Sequence, residues 1–239
     1  MADVSVEAAG ITGLTIRWAA GSVDVAVIDD AGAHAIELTE TAPRPLGETQ
    51  RMRWRVVGST LEVEFGSWFE CFLLGRKDLE VRIPRAFASA FERVNVEGSS
   101  GLYQVRDIGC GTMKLKLASG RIDVDRVAAR GLSIDVASGY VSAVGRFDES
   151  VRAHVASVEI RVLCDGPCPQ SIDADIASGS VRLAIPASSG FTARITKASG
   201  AFKSGFPLEQ ASGGYRHGDG SARVTARMAS GTFALDSVG

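Results

Sequence analysis

"KLKLASGRIDV", residues 114–124, places a Ser-Gly pair between two runs that alternate apolar and polar residues. Alternation of period two marks strands with one buried face, so the pair must turn the chain sharply from one strand into the next. The same arrangement recurs. Ser-Gly starts at Ser100, Ser119 and Ser138, Ser157 follows in step with Val158 in place of Gly, and the series continues at Ser178, Ser199 and Ser230. The steps are 19, 19, 19, 21, 21 and 31 residues.

Columns read outward from each Ser are apolar. Three places after it stand Tyr103, Ile122, Val141, Ile160, Val181, Phe202 and Phe233. Two places before it, from Ser119 onward, stand Leu117, Val136, Val155, Ile176, Lys197 and Met228. Lys197, with Ser204 in a neighbouring column, breaks the pattern. A second period of 19–21 residues means that each coil stacks on the one before it. The expected fold is therefore all-β: a single-stranded parallel β-solenoid (β-helix) of about 19–21 residues per coil, whose hand the repeats do not fix, with right-handed winding favoured over left-handed. At each corner Gly supplies positive φ, Ser bonds its local backbone, and the preceding Ala is expected to tuck under the turn. Two polar columns, Lys116–Asp135–His154–Asp175 and Lys114–Ser133–Arg152–Asp173–Arg194, read as solvated charge ladders on the outer face.

Residues 1–84 lack the strict period but still read as strands, in "ITGLTIRW", "GSVDVAV", "AIELT", "RMRWRVV", "TLEVEF" and "LEVRIP". They are expected to start and cap the solenoid, with residues 85–239 forming its regular coils. "PRAFASAFERV" (84–94) reads either as a short helix or as an extended link. "SWFECFLLG" (67–75) reads as a buried strand or cap plug. The long last step holds "FPLEQASGGYRHGDGSARV" (206–224), whose Gly-rich centre, 213–220, reads as an exposed inserted loop. It gathers Tyr215, Arg216, His217 and Asp219, the candidate binding loop.

Composition narrows the function classes. With 26 basic and 28 acidic residues the formal charge is −2, and a nucleic-acid binder would need a basic surface. The start, "MADVSVEAAG", shows no basic and apolar leader, and no apolar run approaches the roughly 20 residues of a membrane span. A cytoplasmic location, reduced cysteines and no direct membrane span are expected. Cys164 and Cys168, in "CDGPCP", lack the further ligands of a structural zinc site. No nucleophile–base or paired-carboxylate constellation appears, so no catalytic residue, metal or cofactor is assigned and the protein is expected not to be an enzyme.

The segments "LEVRIP", "VNVEGSSGLYQV", "ASGRIDV", "LSIDVASGYVSAV", "IPASSGFTARITKASGAFKSGFPLE" and "ARVTARMASGTFALD" resemble the bacterial β-strand-repeat proteins of unknown function that are usually labelled as candidate adhesins. The resemblance implies a β-solenoid without family catalytic residues, and for some relatives a link to cell-envelope stress. The leading functional expectation is a non-enzymatic scaffold or protein-interaction module whose partner is an unknown protein or a second copy of this chain. The alternative is a carbohydrate- or envelope-binding, adhesin-like protein that is exported.

Overall fold

The computed structural model describes residues 2–30, 32–66 and 75–238. Among these residues there is no α-helix; all regular structure is strand apart from two short 3-10 turns. The expected plug, 67–75, lies almost wholly outside the described residues.

Each regular coil holds two strands joined by the Ser-Gly corner. In chain order they are β8 (Phe91–Gly98) with β9 (Leu102–Arg106), then β10 (Gly109–Leu117) with the start of β11. β11 (Arg121–Cys164) is one unbroken strand that bends round several corners, and β12 (Ser171–Pro186) does the same. Pairing is parallel: Leu115 sits beside Ile134 and Val96, and Val155 beside Ile176. The apolar columns point inward. Tyr103, Ile122, Val141, Ile160, Val181 and Phe233 are all buried in one continuous core.

The stacking order departs from chain order at both ends. At the C-terminal end, β17 (Ala222–Met228) and β18 (Thr232–Val238) pair with β12 on one side. On the other side they pair with β13 (Phe191–Lys197) and β14 (Ala201–Ser204). The last coil in sequence is thus inserted beneath the one before it. The N-terminal end repeats the device. β2 (Gly13–Trp18) and β3 (Gly21–Ile28) lie between β8–β9 and an outer coil made of β6 (Thr60–Glu64) and β7 (Lys77–Pro84). The simple rule that each coil stacks on its predecessor therefore fails at both ends. The exchange also explains Lys197 and Ser204: they belong to the outermost coil, where the apolar columns open to solvent.

Antiparallel strands cover the N-terminal end and part of the C-terminal one. β1 (Ala2–Glu7) pairs with β4 (Ala35–Thr41), which pairs with β7, and β5 (Arg53–Val57) pairs with β6. At the far end β15 (Glu209–Ala211) and β16 (Gly214–His217) form a hairpin on β13. The sheet is therefore one mixed sheet, not the wholly parallel single-stranded solenoid that the repeats predict. Capping by antiparallel strands and crossed coils covers edges that would otherwise pair with other chains.

Residues 84–94 are neither a helix nor a plain link: a 3-10 turn at Arg85–Phe87 leads directly into β8. The corner alanines Ala118, Ala137, Ala156, Ala177, Ala198 and Ala229 are exposed. They do not tuck under the turn, because Leu117, Val136 and their equivalents already fill that side.

Candidate functional site

The segment 206–224 is a paired hairpin with a tight turn, not a free loop. Its aromatic residues fold back on the outermost coil. The His217 ring lies 5.0 Å from Phe206 and 5.6 Å from Phe191. Its Nδ1 stands 2.8 Å from the Pro207 carbonyl oxygen, which can only accept, so Nδ1 carries the proton. Tyr215, half-buried, packs 5.6 Å from Phe202. Arg216 donates through Nη2 to the Asp219 carbonyl at 2.7 Å and through Nε to that of Gly218. The backbone N–H of Ser221, 3.0 Å from Asp219 Oδ1, holds the Asp219 carboxyl below the usual carboxylate range. The polar groups of Arg216, His217 and Asp219 thus bond within the hairpin, while Tyr215 edges a recess on the outer face of β13 and β17.

The corner of the coils carries a longer feature. A 510 Å³ recess is lined by Arg17, Trp18, Phe65, Glu97, Lys116 and Asp135, among others. A second, of 640 Å³, is lined by Asp135, Ala137, His154, Asp175, Ala177 and Arg227, among others. They meet at Asp135 and Ala137, so a furrow crosses the strands in the order β6, β2, β8, β10, two turns of β11, β12, β17, β13. At a strand spacing of about 4.8 Å it runs for about 38 Å. The exposed alanines form its floor. One wall is the row Glu64, Arg17, Glu97, Lys116, Asp135, His154, Asp175, Arg227, in which neighbouring signs mostly alternate. Arg17 bridges Glu64 at 3.1 Å and Glu97 at 3.8 Å, and Arg227 bridges Asp175 at 3.1 Å. The ladder Lys116–Asp135 is present as the sequence pattern implies. The second ladder is altered by the exchanged coils: Thr225, not Arg194, stands beside Asp173.

The thiols of Cys110, Cys164 and Cys168 are free. Burial pushes Cys110 and Cys164 up to about 12, and Cys168, half-buried, moves the same way. Thiolate attack needs the ionised form, so at pH 8 Cys110 and Cys164 should ignore a disulfide reagent until the chain is unfolded. In Cys71→Ser protein, rapid native reaction of all three remaining thiols would contradict this. The same shifts set a sign. Unfolded thiols ionise near about 8.5, so between about 9 and the folded value the unfolded state binds fewer protons, and stability falls as pH rises.

Among the described residues no three His, Cys, Asp or Glu side chains converge as a metal site, and no helix is long and apolar enough to cross a membrane. What the architecture presents is an all-β stack of coils with ordered side-chain rows along its corners and faces. The chain belongs to the Toastrack DUF4097 family, whose profile matches residues 3–236. No curated protein matches it in sequence. One solved structure similar to it is described as a "putative cell adhesion protein" from Clostridium sporogenes ATCC 15579. The two share 12% identity over 99% of this chain and 98% of that one, with a TM-score of 0.45.

Proposed function

We propose that the protein is a non-enzymatic interaction module: a β-solenoid scaffold, wound right-handed through its parallel middle, that receives an extended protein segment along the corner furrow. The observation that carries this reading is the furrow itself. It crosses successive coils, exposed alanines line its floor from Ala118 to Ala198, and its wall mostly alternates in charge. A floor of alanines leaves room for a chain to lie close to the backbone, and an alternating wall discriminates partners by charge order more than it adds affinity. The exposed ion pairs along it contribute little to stability, about 0–1 kcal/mol each, so the row is more useful for recognition than for folding.

Photo-crosslinking side chains placed at Ala137 and at Ala177 test the reading in the native host, with Arg161 on the far row of strands as control. The expected result is one common adduct protein from both furrow positions, none from Arg161, and loss of the adduct on adding Ala156→Trp with no change in melting temperature. Adducts of equal yield at Arg161, or adducts that survive the Ala156→Trp block, would remove the furrow as the binding surface.

A further inference from the structure

The exchange of the last two coils builds a second surface, independent of the furrow. It brings β13 and β17 together in a register that sets Thr192 beside Arg223, Arg194 beside Thr225, and Thr196 beside Arg227. These six residues alternate with the inward-facing Ala193, Ile195, Val224 and Ala226, so they share the outer face. The result is a chequerboard of guanidinium groups and hydroxyls centred on Thr225. Arg194 lies directly across from it, with Arg223 and Arg227 two residues to either side. The turn of the β15–β16 hairpin, Ser212–Gly213–Gly214, walls one side of the recess, which holds 500 Å³. Arg194 reaches that wall: a Cβ placed on Gly213 would lie 3.8 Å from its Nη2.

Charge is unbalanced inside this recess. Three arginines line it and no carboxylate does. Among the described residues Arg194 and Arg223 make no ion pair, whereas Arg227 reaches Asp175 at the far edge. The nearest carboxylates in register stand outside: Asp173 and Asp175 on β12 beyond Thr225 and Arg227, and Glu209 on β15 beyond Arg216. Had the coils stacked in chain order, Arg194 would lie beside Asp173. The inserted β17 separates them by a strand and adds two arginines of its own. A recess whose charged side chains are all guanidinium groups, two of them without an ion pair among the described residues, is complementary to an oxyanion that accepts several hydrogen bonds at once. Guanidinium groups bind phosphoryl oxygens in bidentate fashion.

We propose that this recess binds a phosphoryl group, with room for two that are linked, held by Arg194 and Arg223 and completed by Arg227 and the hydroxyls of Thr196 and Thr225. The phosphoryl group can belong to a soluble molecule or to a lipid headgroup. Calorimetry with pyrophosphate and with inorganic phosphate examines the first source. Co-sedimentation with phosphatidylcholine vesicles, with and without phosphatidic acid, examines the second. Binding to either probe, weakening as salt rises, is expected for the intact protein. Arg194→Gln and Arg223→Gln should each weaken it by about tenfold or more, the usual scale of one charge-assisted contact. Arg194→Lys should fall between Arg194→Gln and the wild type, Thr225→Glu should abolish binding, and Arg161→Gln should leave it unchanged. All five variants change exposed or half-exposed positions, so melting curves should overlay. Pyrophosphate binding without vesicle capture assigns the site to soluble phosphates, and the converse assigns it to headgroups. Absence of binding to every probe, or wild-type affinity in folded Arg194→Gln and Arg223→Gln proteins, would overturn the proposal.

Discussion

Lys77→Met should destabilise the protein by about 3–5 kcal/mol, the cost of leaving one member of a buried ion pair without its partner. Lys77 and Glu40 are almost wholly inaccessible to solvent, with Lys77 Nζ 2.5 Å from Glu40 Oε1. The ammonium also donates to the carbonyls of Gln50, at 2.8 Å, and of Phe65, and lies 4.2 Å from the Phe65 ring centre and 5.1 Å from that of Trp18. Its own carbonyl accepts the indole N–H of Trp18 at 2.9 Å. One side chain thus ties the end of β4, the segment before β5, the end of β6 and the start of β7 to the first inner coil. Met fills much of the same volume, so the loss would come from charge. Among the described residues Glu40 would keep the Met52 N–H at 2.9 Å alone, and its Oε2 has no partner there. The double variant Lys77→Met with Glu40→Gln removes the stranded charge and should recover at least half of the loss in urea melts. A double variant as unstable as the single would show that the hydrogen bonds of Lys77, and not its charge, hold this end together.

That ion pair was invisible in the sequence, and the reason is physical. In "GRKDLEVRIP" a lysine before a strand looks like an exposed flanking charge, and only the outermost coil gives it an interior to enter. The regular coils were legible because burial on one face leaves its mark every second residue, and stacking leaves its mark every 19 to 21. Those marks identify like positions but carry no information about which coil lies on which. The exchanged ends were therefore missed, and with them the meeting of β13 and β17 that assembles the arginine recess. One signal was present. Ala19–Ala20–Gly21 is a corner of the same kind as Ala118–Ser119–Gly120, and Gly21 lies 80 residues, four steps of 20, before Gly101. Reading it would have placed β2 and β3 among the regular coils. The hairpin at 206–217 looked like a loop because its glycines hide two short strands, whereas Phe191 and Phe202, which help to hold it down, lie earlier in the chain.

Gly139→Ala should cost about 3 kcal/mol or more, although it adds one methyl group at a surface corner. Gly139 has φ +124°, and a Cβ built on it would lie 2.0 Å from the carbonyl oxygen of Gly120 in the coil beneath. That oxygen cannot retreat, since it accepts the Tyr140 N–H at 2.9 Å as part of the ladder between coils. The same contact recurs along the stack: Gly21 against Lys77, Gly101 against Gly21, Gly120 against Gly101, Gly179 against Val158, Gly231 against Gly179, and Gly200 against Gly231. The glycine column thus traces the true order of the coils, exchanged ends included. Two costs add at each member, the strained backbone of a non-glycine residue at about 1–3 kcal/mol and the separation of two coils that one ladder of hydrogen bonds holds together. Gly58→Ala isolates the first. Gly58 also has positive φ, +61°, but nothing lies within 4 Å of the place its methyl group would take, so about 1 kcal/mol is expected there. Val158, the one side chain in the middle of the column, is the natural counterpart. It does not have positive φ, and its side chain is buried, so at that corner the chain has changed its backbone to admit a residue that the other corners exclude. For a chain of this size a loss of about 3 kcal/mol lowers the melting temperature by about 6–12 °C. If Gly139→Ala and Gly58→Ala prove equally mild, the coils are free to move apart at the corner, and the close glycine contacts do not set their spacing.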